Sequence, residues 1–162
     1  MAARWHRIGM DTLTRSEVFE RYGVELTRFA TSLVGPSDAQ DVVSDAMLRA
    51  MWSRGWDRVV NQRAYLYRSV LSQARMHHRS DVRRHMRETE AARVTVPAVF
   101  MPEFDVWDAL DRLEVAERAV VFLVYWEDLT ESQIAERLEI SERTVRRRLT
   151  RARRTLGRWL DA

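Results

Sequence analysis

The chain has 162 residues, 46% hydrophobic and 31% charged, which suits one ordinary domain or two small ones and excludes a wholly disordered chain. It has no cysteine, which excludes a disulfide scaffold, thiolate metal sites and a cysteine nucleophile, and its longest apolar run, Ala119 to Trp126, is far too short for a membrane span. All 27 basic residues are arginine, and a formal charge of only +3 conceals blocks of −2 (1–48), +7 (49–102), −9 (103–142) and +7 (143–162), which points to separate partners for separate segments.

The first residues carry charge without an apolar stretch, so no signal peptide is expected. Residues 1–13 read as a disordered tail, with Met10 a second candidate for the start of translation. From 14 to 34, Phe19, Tyr22, Leu26, Phe29, Ala30 and Leu33 recur at helical spacing, with Thr14 and Glu17 as a capping box and Gly35-Pro36 as the stop. Ser37 with Gln40 forms a second box, opening a helix to about Trp52 whose apolar stripe includes Val42, Val43, Ala46 and Met47. Residues 53–61 read as a loop, and Asn61 caps a third helix running to about Arg79 or beyond. The stretch VTVPAVFMP (94–102) holds two of the three prolines and no charge, so the chain is extended there. Helices follow at about 105–113 and 115–126, then a compact pair at 131–138 and 142–158.

That last pair carries the strongest motif. Thr130 with Gln133 is a third capping box, Ile134, Ala135 and Leu138 point inward, Glu139-Ile140 turns the chain, and Ser141 caps the next helix. The pattern fits a helix-turn-helix, whose second helix enters the major groove of DNA. On that helix Val145, Leu149, Ala152 and Leu156 fall on one face, with Arg143, Arg147, Thr150, Arg154 and Arg158 opposite and Arg146 and Arg151 on the flanks. Guanidinium forks suit phosphates and guanine edges, although a solvated basic helix has the same pattern.

The block 107–153, WDALDRLEVAERAVVFLVYWEDLTESQIAERLEISERTVRRRLTRAR, resembles the minus-35-binding domain of bacterial extracytoplasmic-function (group four) sigma factors of RNA polymerase. The matching residues are Ala109, Leu110 and Leu113, Arg118 to Val120 with Leu123, Glu127 to Thr130, Ile134-Ala135, and Ser141 through Arg153. The segment DAQDVVSDAMLRAM (38–51) is similar to the family's polymerase-docking helix, and NQRAYLYRSVLSQARMHHRS (61–80) to its minus-10 reading and strand-opening helix. The family's glutamine in the docking helix is Ser44 here, and its asparagine and aspartate in the minus-10 helix are Ser72 and Met76. Glu114-Val115 replaces a common proline.

The resemblance implies an all-α chain of two small helical domains joined by an extended linker: a region-two-like domain at 14–87, the linker at 88–104, and a region-four-like helix-turn-helix domain at 105–162. It implies docking of Asp38, Asp41, Ser44, Asp45 and Arg49 on the β′ coiled coil of core RNA polymerase, with the second domain near the β flap. Minus-10 contacts fall to Trp56 (in the loop for a flipped-out base), Arg63, Tyr65, Arg68, Ser72, Arg75 and Arg79. Minus-35 contacts fall to Arg143, Thr144, Arg146, Arg147, Arg148, Thr150, Arg151 and Arg154, with Arg143 and Arg148 nearer phosphates. An anti-sigma partner is common in the family, and the expected place of work is the cytoplasm, without a cofactor, metal or membrane insertion.

The residues leave other readings open. Carboxylates in the first turns of a helix also complement its dipole, and Tyr65 and Tyr67 also suit a core. An enzyme is disfavoured, since His77, His78 and His85 have no metal-ligating spacing and no phosphate-binding or nucleophile motif is present. A conventional helix-turn-helix regulator with its own helical dimerisation domain shares residues 130–156 but has no need of 38–51 and 61–80.

Overall fold

The computed structural model describes residues 15–91 and 106–160, and every regular element among them is helical. Helix α1 spans Arg15–Val34. It ends as its sequence requires: Gly35 takes φ +85°, its N–H reaches the Thr31 carbonyl at 2.9 Å, and Pro36 follows. The capping box at Thr14 and the 1–13 tail lie outside the described residues.

Helix α2 spans Ala39–Met51, and here the expected cap at Ser37 is displaced. The N-cap is Asp38, which makes no side-chain cap bond. Its carboxylate lies 3.7 Å from Nε2 of His77, whose Nδ1 lies 2.9 Å from Asp81. A 3-10 turn, Trp56–Arg58, occupies the expected loop. Helix α3, Gln62–Ala91, opens on Asn61, whose Oδ1 accepts the Ala64 N–H at 3.0 Å. It continues past Arg79 and past Glu88, where the linker was expected to begin.

Four helices follow: α4 (Val106–Asp111), α5 (Val115–Tyr125), α6 (Glu131–Leu138) and α7 (Glu142–Leu160). Both expected caps of the helix-turn-helix are present, a Thr130–Gln133 box and Ser141 Oγ accepting the Thr144 N–H at 3.2 Å. Between them Glu139 sits in the left-handed region at φ +49°. Where the family often has proline, Glu114 and Glu117 form another capping box, so the junction is closed by side chains instead.

The two helical domains are present as expected and pack on one another, while most of the linker expected between them lies outside the described residues. Helices α1, α2 and α3 pack mutually, and α5 is buried all along Val115 to Leu123 because α6 and α7 cover one side and α1 and α3 the other. One apolar core therefore runs from Leu26, Phe29 and Val70 into Val120, Leu123, Ile134 and Val145. The rings of Phe29 and Phe122 meet across the seam at 6.0 Å.

Candidate nucleic-acid interface

On α7 the apolar stripe is buried as its spacing requires: Val145, Leu149 and Ala152 are covered, and Leu156 is half-buried. The opposite face projects Arg143, Arg147, Thr150, Arg151 and Arg154 into solvent, where guanidiniums can fork onto phosphates and base edges. Arg146 is also exposed but engaged, with Glu131 on α6 and with Glu142 at 3.0 Å. The hydrogen bond to Glu131 raises its pKa further. Thr144 is half-buried and tied to Ser141, while Thr150 donates its hydroxyl to the Arg146 carbonyl at 2.9 Å. Arg148 departs from the face. It is half-buried, its pKa is lowered by burial and then by the charges of Arg75 and Arg147, and its Nη1 has no partner.

On α3, Tyr65, Arg68, Ser72, Arg75 and Arg79 recur at intervals of three and four and share one stripe. Arg63 lies on the other side of that helix. Its guanidinium forks onto Glu25 of α1, with Nε at 2.9 Å from the carboxylate, and this bond raises its pKa. Ser72 and Arg79 are exposed, and Arg75 and Tyr65 are half-buried. Arg68 stands 5.6 Å above the Tyr65 ring and 2.7 Å from Glu139, the turn residue of the helix-turn-helix. Trp56, expected to await a flipped base, is instead 5% exposed and set edge-on to Tyr65 at 6.0 Å. A large indole gains more from that apolar seat than from a loop tip.

Tyr67 is fully buried at the seam, under the Arg137 guanidinium at 4.9 Å. Burial, then the charge of Glu25, pushes its phenol up to about 12. Arg118 joins the halves more firmly. At 4% exposure it donates to the carbonyls of Leu113, Leu33 and Asp111 at 3.0, 2.9 and 3.0 Å, and its Nη1 lies 2.9 Å from the Asp111 carboxylate. Leu33 belongs to α1, so one buried guanidinium caps a helix end of the other half. Burial lowers its pKa, partly offset by Asp111.

On α2, Asp41, Asp45 and Arg49 are exposed, and Asp38 and Ser44 are half-buried. Sequence reasoning missed two residues of the same face: Leu48 and Trp52 stand 53% and 68% exposed, one and two turns beyond Asp45. Their signal was available, since both fall at helical spacing from Asp41 on the side away from the Val42–Met47 stripe. Asp38, His77 and Asp81 bring three donor atoms within 4.8 Å of one another. The imidazole faces each carboxylate with a different nitrogen, which is the geometry of a bridge between helices and not of ligands converging on one ion.

Two arginine-bearing helix faces, one on a helix-turn-helix and one on α3 beside the acidic face of α2, have the chemistry of a protein that binds DNA. Residues 18–84 match the family model for sigma-70 region 2, and residues 103–156 match that for sigma-70 region 4. Among solved structures the chain is similar to the sigma factor RpoE in its co-crystal structure with the anti-sigma factor NepR from Bartonella quintana (TM-score 0.56, 21% identity, 91% of this chain and 96% of that one). It is also similar to CnrH in complex with the cytosolic domain of CnrY (TM-score 0.60, 25% identity, 91% of this chain and 87% of that one). No curated protein sequence matches the chain. The chain belongs to the sigma-70 family of sigma factors: it binds core RNA polymerase, recognises minus-35 and minus-10 promoter elements and helps open the promoter. No helix among the described residues is long and apolar enough to cross a membrane.

Proposed function

We propose that this is a group-four sigma factor, working in the cytoplasm, whose exposed α2 face docks on the β′ coiled coil. Asp41 and Asp45 supply charge complementarity to basic residues, and Leu48 and Trp52 are the apolar anchors, since buried aromatic side chains dominate most docking energies. The helix-turn-helix half sits near the β flap. Arg143, Arg147, Thr150, Arg151 and Arg154 read the minus-35 element. Arg68, Ser72, Arg75 and Arg79 hold the minus-10 strand while Tyr65 stacks on unpaired bases. Strand opening draws on these contacts and on stacking, and no bond is hydrolysed. An anti-sigma protein holds the factor inactive, a reading supported by the similarity to RpoE in its complex with the anti-sigma factor NepR.

The observation that carries this reading is the outward face of α2, where two carboxylates and two large apolar side chains share one exposed stripe in the half that matches region 2. The test is co-elution of the purified chain with bacterial core RNA polymerase. The wild type co-elutes stoichiometrically, and Asp45→Arg weakens the complex at least about tenfold, as expected when a like charge is set against a basic patch. A well-folded wild type that binds promoter DNA tightly alone and ignores the polymerase overturns it.

A further inference from the structure

We propose that Tyr125 and Arg153 form a phosphate clamp beside the recognition helix, in which the guanidinium holds the phenol so that its O–H donates to the backbone of the minus-35 duplex. This rests on the reading of α7 as the minus-35 helix. Neither residue stands among the DNA contacts that the sequence suggested. Tyr125 closes α5 and is 58% exposed. Arg153 is exposed on α7, and its Nε and Nη2 both donate to the Tyr125 hydroxyl oxygen, at 3.4 and 3.3 Å. One cluster fixes the pair from below, since Val121, one turn before Tyr125, and Ala152, next to Arg153, are buried together.

A phenol oxygen that accepts two N–H groups has its own proton left to donate, and that proton must point away from the guanidinium. Bonds from a cation also polarise the phenol, which makes it a better donor. Nη1 of Arg153 takes no part in the contact. The pair therefore offers solvent two donor groups and one positive charge, the complement of a phosphodiester. Among the described residues Arg153 is in no ion pair, whereas Arg146 is held by Glu131 and Glu142. Arg153 follows Arg146 by seven residues, so the two lie within about 20° on one flank of α7, about 10 Å apart along its axis. Tyr125 belongs to α5, outside the helix-turn-helix, so it stays beside the groove that α7 enters. A donor pair on the flank of a helix seated in the major groove meets the backbone that borders it.

The test is the affinity of the polymerase complex for labelled duplexes that vary in their minus-35 bases, measured across salt concentrations with circular dichroism as the folding control. Tyr125→Phe keeps the ring and lowers affinity about threefold to fivefold, the size of one neutral hydrogen bond, with the slope of log affinity against log salt unchanged. Arg153→Gln lowers it about tenfold and makes that slope shallower by about 0.9, the mark of one phosphate contact. Both losses are the same on every duplex, because phosphates carry no sequence. In the double variant the loss from Tyr125→Phe disappears, since the phenol acts only where the guanidinium holds it. Unchanged affinity in Tyr125→Phe overturns the clamp. So do a loss that varies with the bases, an Arg153→Gln slope equal to that of the wild type, and additive losses in the double variant. Arg147→Gln tests the reading of α7 by itself: if it changes neither affinity nor base preference, that reading fails, and the other two variants still decide the clamp.

Discussion

Helices α3 and α7 are both amphipathic and both rich in arginine, yet Arg63 and Arg68 of α3 are paired with carboxylates from other elements while Arg143, Arg147, Arg151 and Arg154 of α7 project into solvent. The cause lies in what each meets. The outward face of α7 meets no other element where Arg143, Arg147, Arg151 and Arg154 project. Arg68 of α3 meets Glu139, and Arg137 covers Tyr67. The acidic block 103–142 lies between the two basic blocks, since α5 and α6 pack on both α3 and α7. A basic helix is thus not equivalent to an available one, because an acid elsewhere in the chain can pair with its arginines.

The largest effect is expected at the hub of that packing. Arg118→Met keeps most of the side-chain volume but strips donors from the Leu33, Leu113 and Asp111 carbonyls. Unsatisfied buried acceptors cost about 1–3 kcal/mol each, and part of that is recovered as the Leu33 end of α1 gains water when the halves separate. We expect a loss of about 3 kcal/mol in urea unfolding, with the two halves then melting separately. A loss below about 1 kcal/mol would mean that the apolar contacts, and not this guanidinium, hold the halves together.

Next in size is a pH effect confined to the covered face. The Tyr67 phenol has its pKa raised from 10.0 to about 12, so the folded chain prefers the neutral form. The resulting stability is fully present below pH 10, where the unfolded phenol is still protonated, and is lost as pH rises towards 12. About two units correspond to about 2–3 kcal/mol over that window. Tyr67→Phe removes the loss, and it raises the stability at neutral pH by about 1 kcal/mol because a hydroxyl without a partner is deleted. Thermal melts of both proteins at pH 8 and pH 11 check the sign. A Phe variant less stable at pH 8 would show that the hydroxyl is satisfied by water.

How much of this was legible in the sequence depended on the range of the interaction. Local signals read well: the Thr130–Gln133 box, the Ser141 and Asn61 caps, the Gly35-Pro36 stop and the Val145–Ala152 stripe are all decided within a few residues. At the start of α2 the N-cap is Asp38 in place of Ser37, and its carboxylate faces His77, a residue distant in sequence. Arg118 looked like one position in a helix pattern, and nothing local reveals that its guanidinium reaches Leu33. Trp56 and Arg63 have side chains with the chemistry of DNA contacts, and nothing local in the sequence reveals that the first is buried and the second paired with Glu25. Tyrosines 65 and 67 had equal claims in sequence, and only burial separates them.

The smallest expected effect tests whether even the open face is partly restrained. Arg146 on α7 is held by Glu131 from α6 and by Glu142 one turn earlier, so to reach a base edge it must leave two carboxylates. Such pairs in full solvent contribute little. Glu131→Gln should therefore raise affinity for a minus-35 duplex, measured on the polymerase complex at fixed salt, by only about twofold to fivefold. The sign carries the argument. A gain means that Glu131 competes with DNA for Arg146. A loss means that the carboxylate orients the guanidinium towards its base, so that the pairing seen at Arg146 prepares the outward face of α7 instead of restraining it.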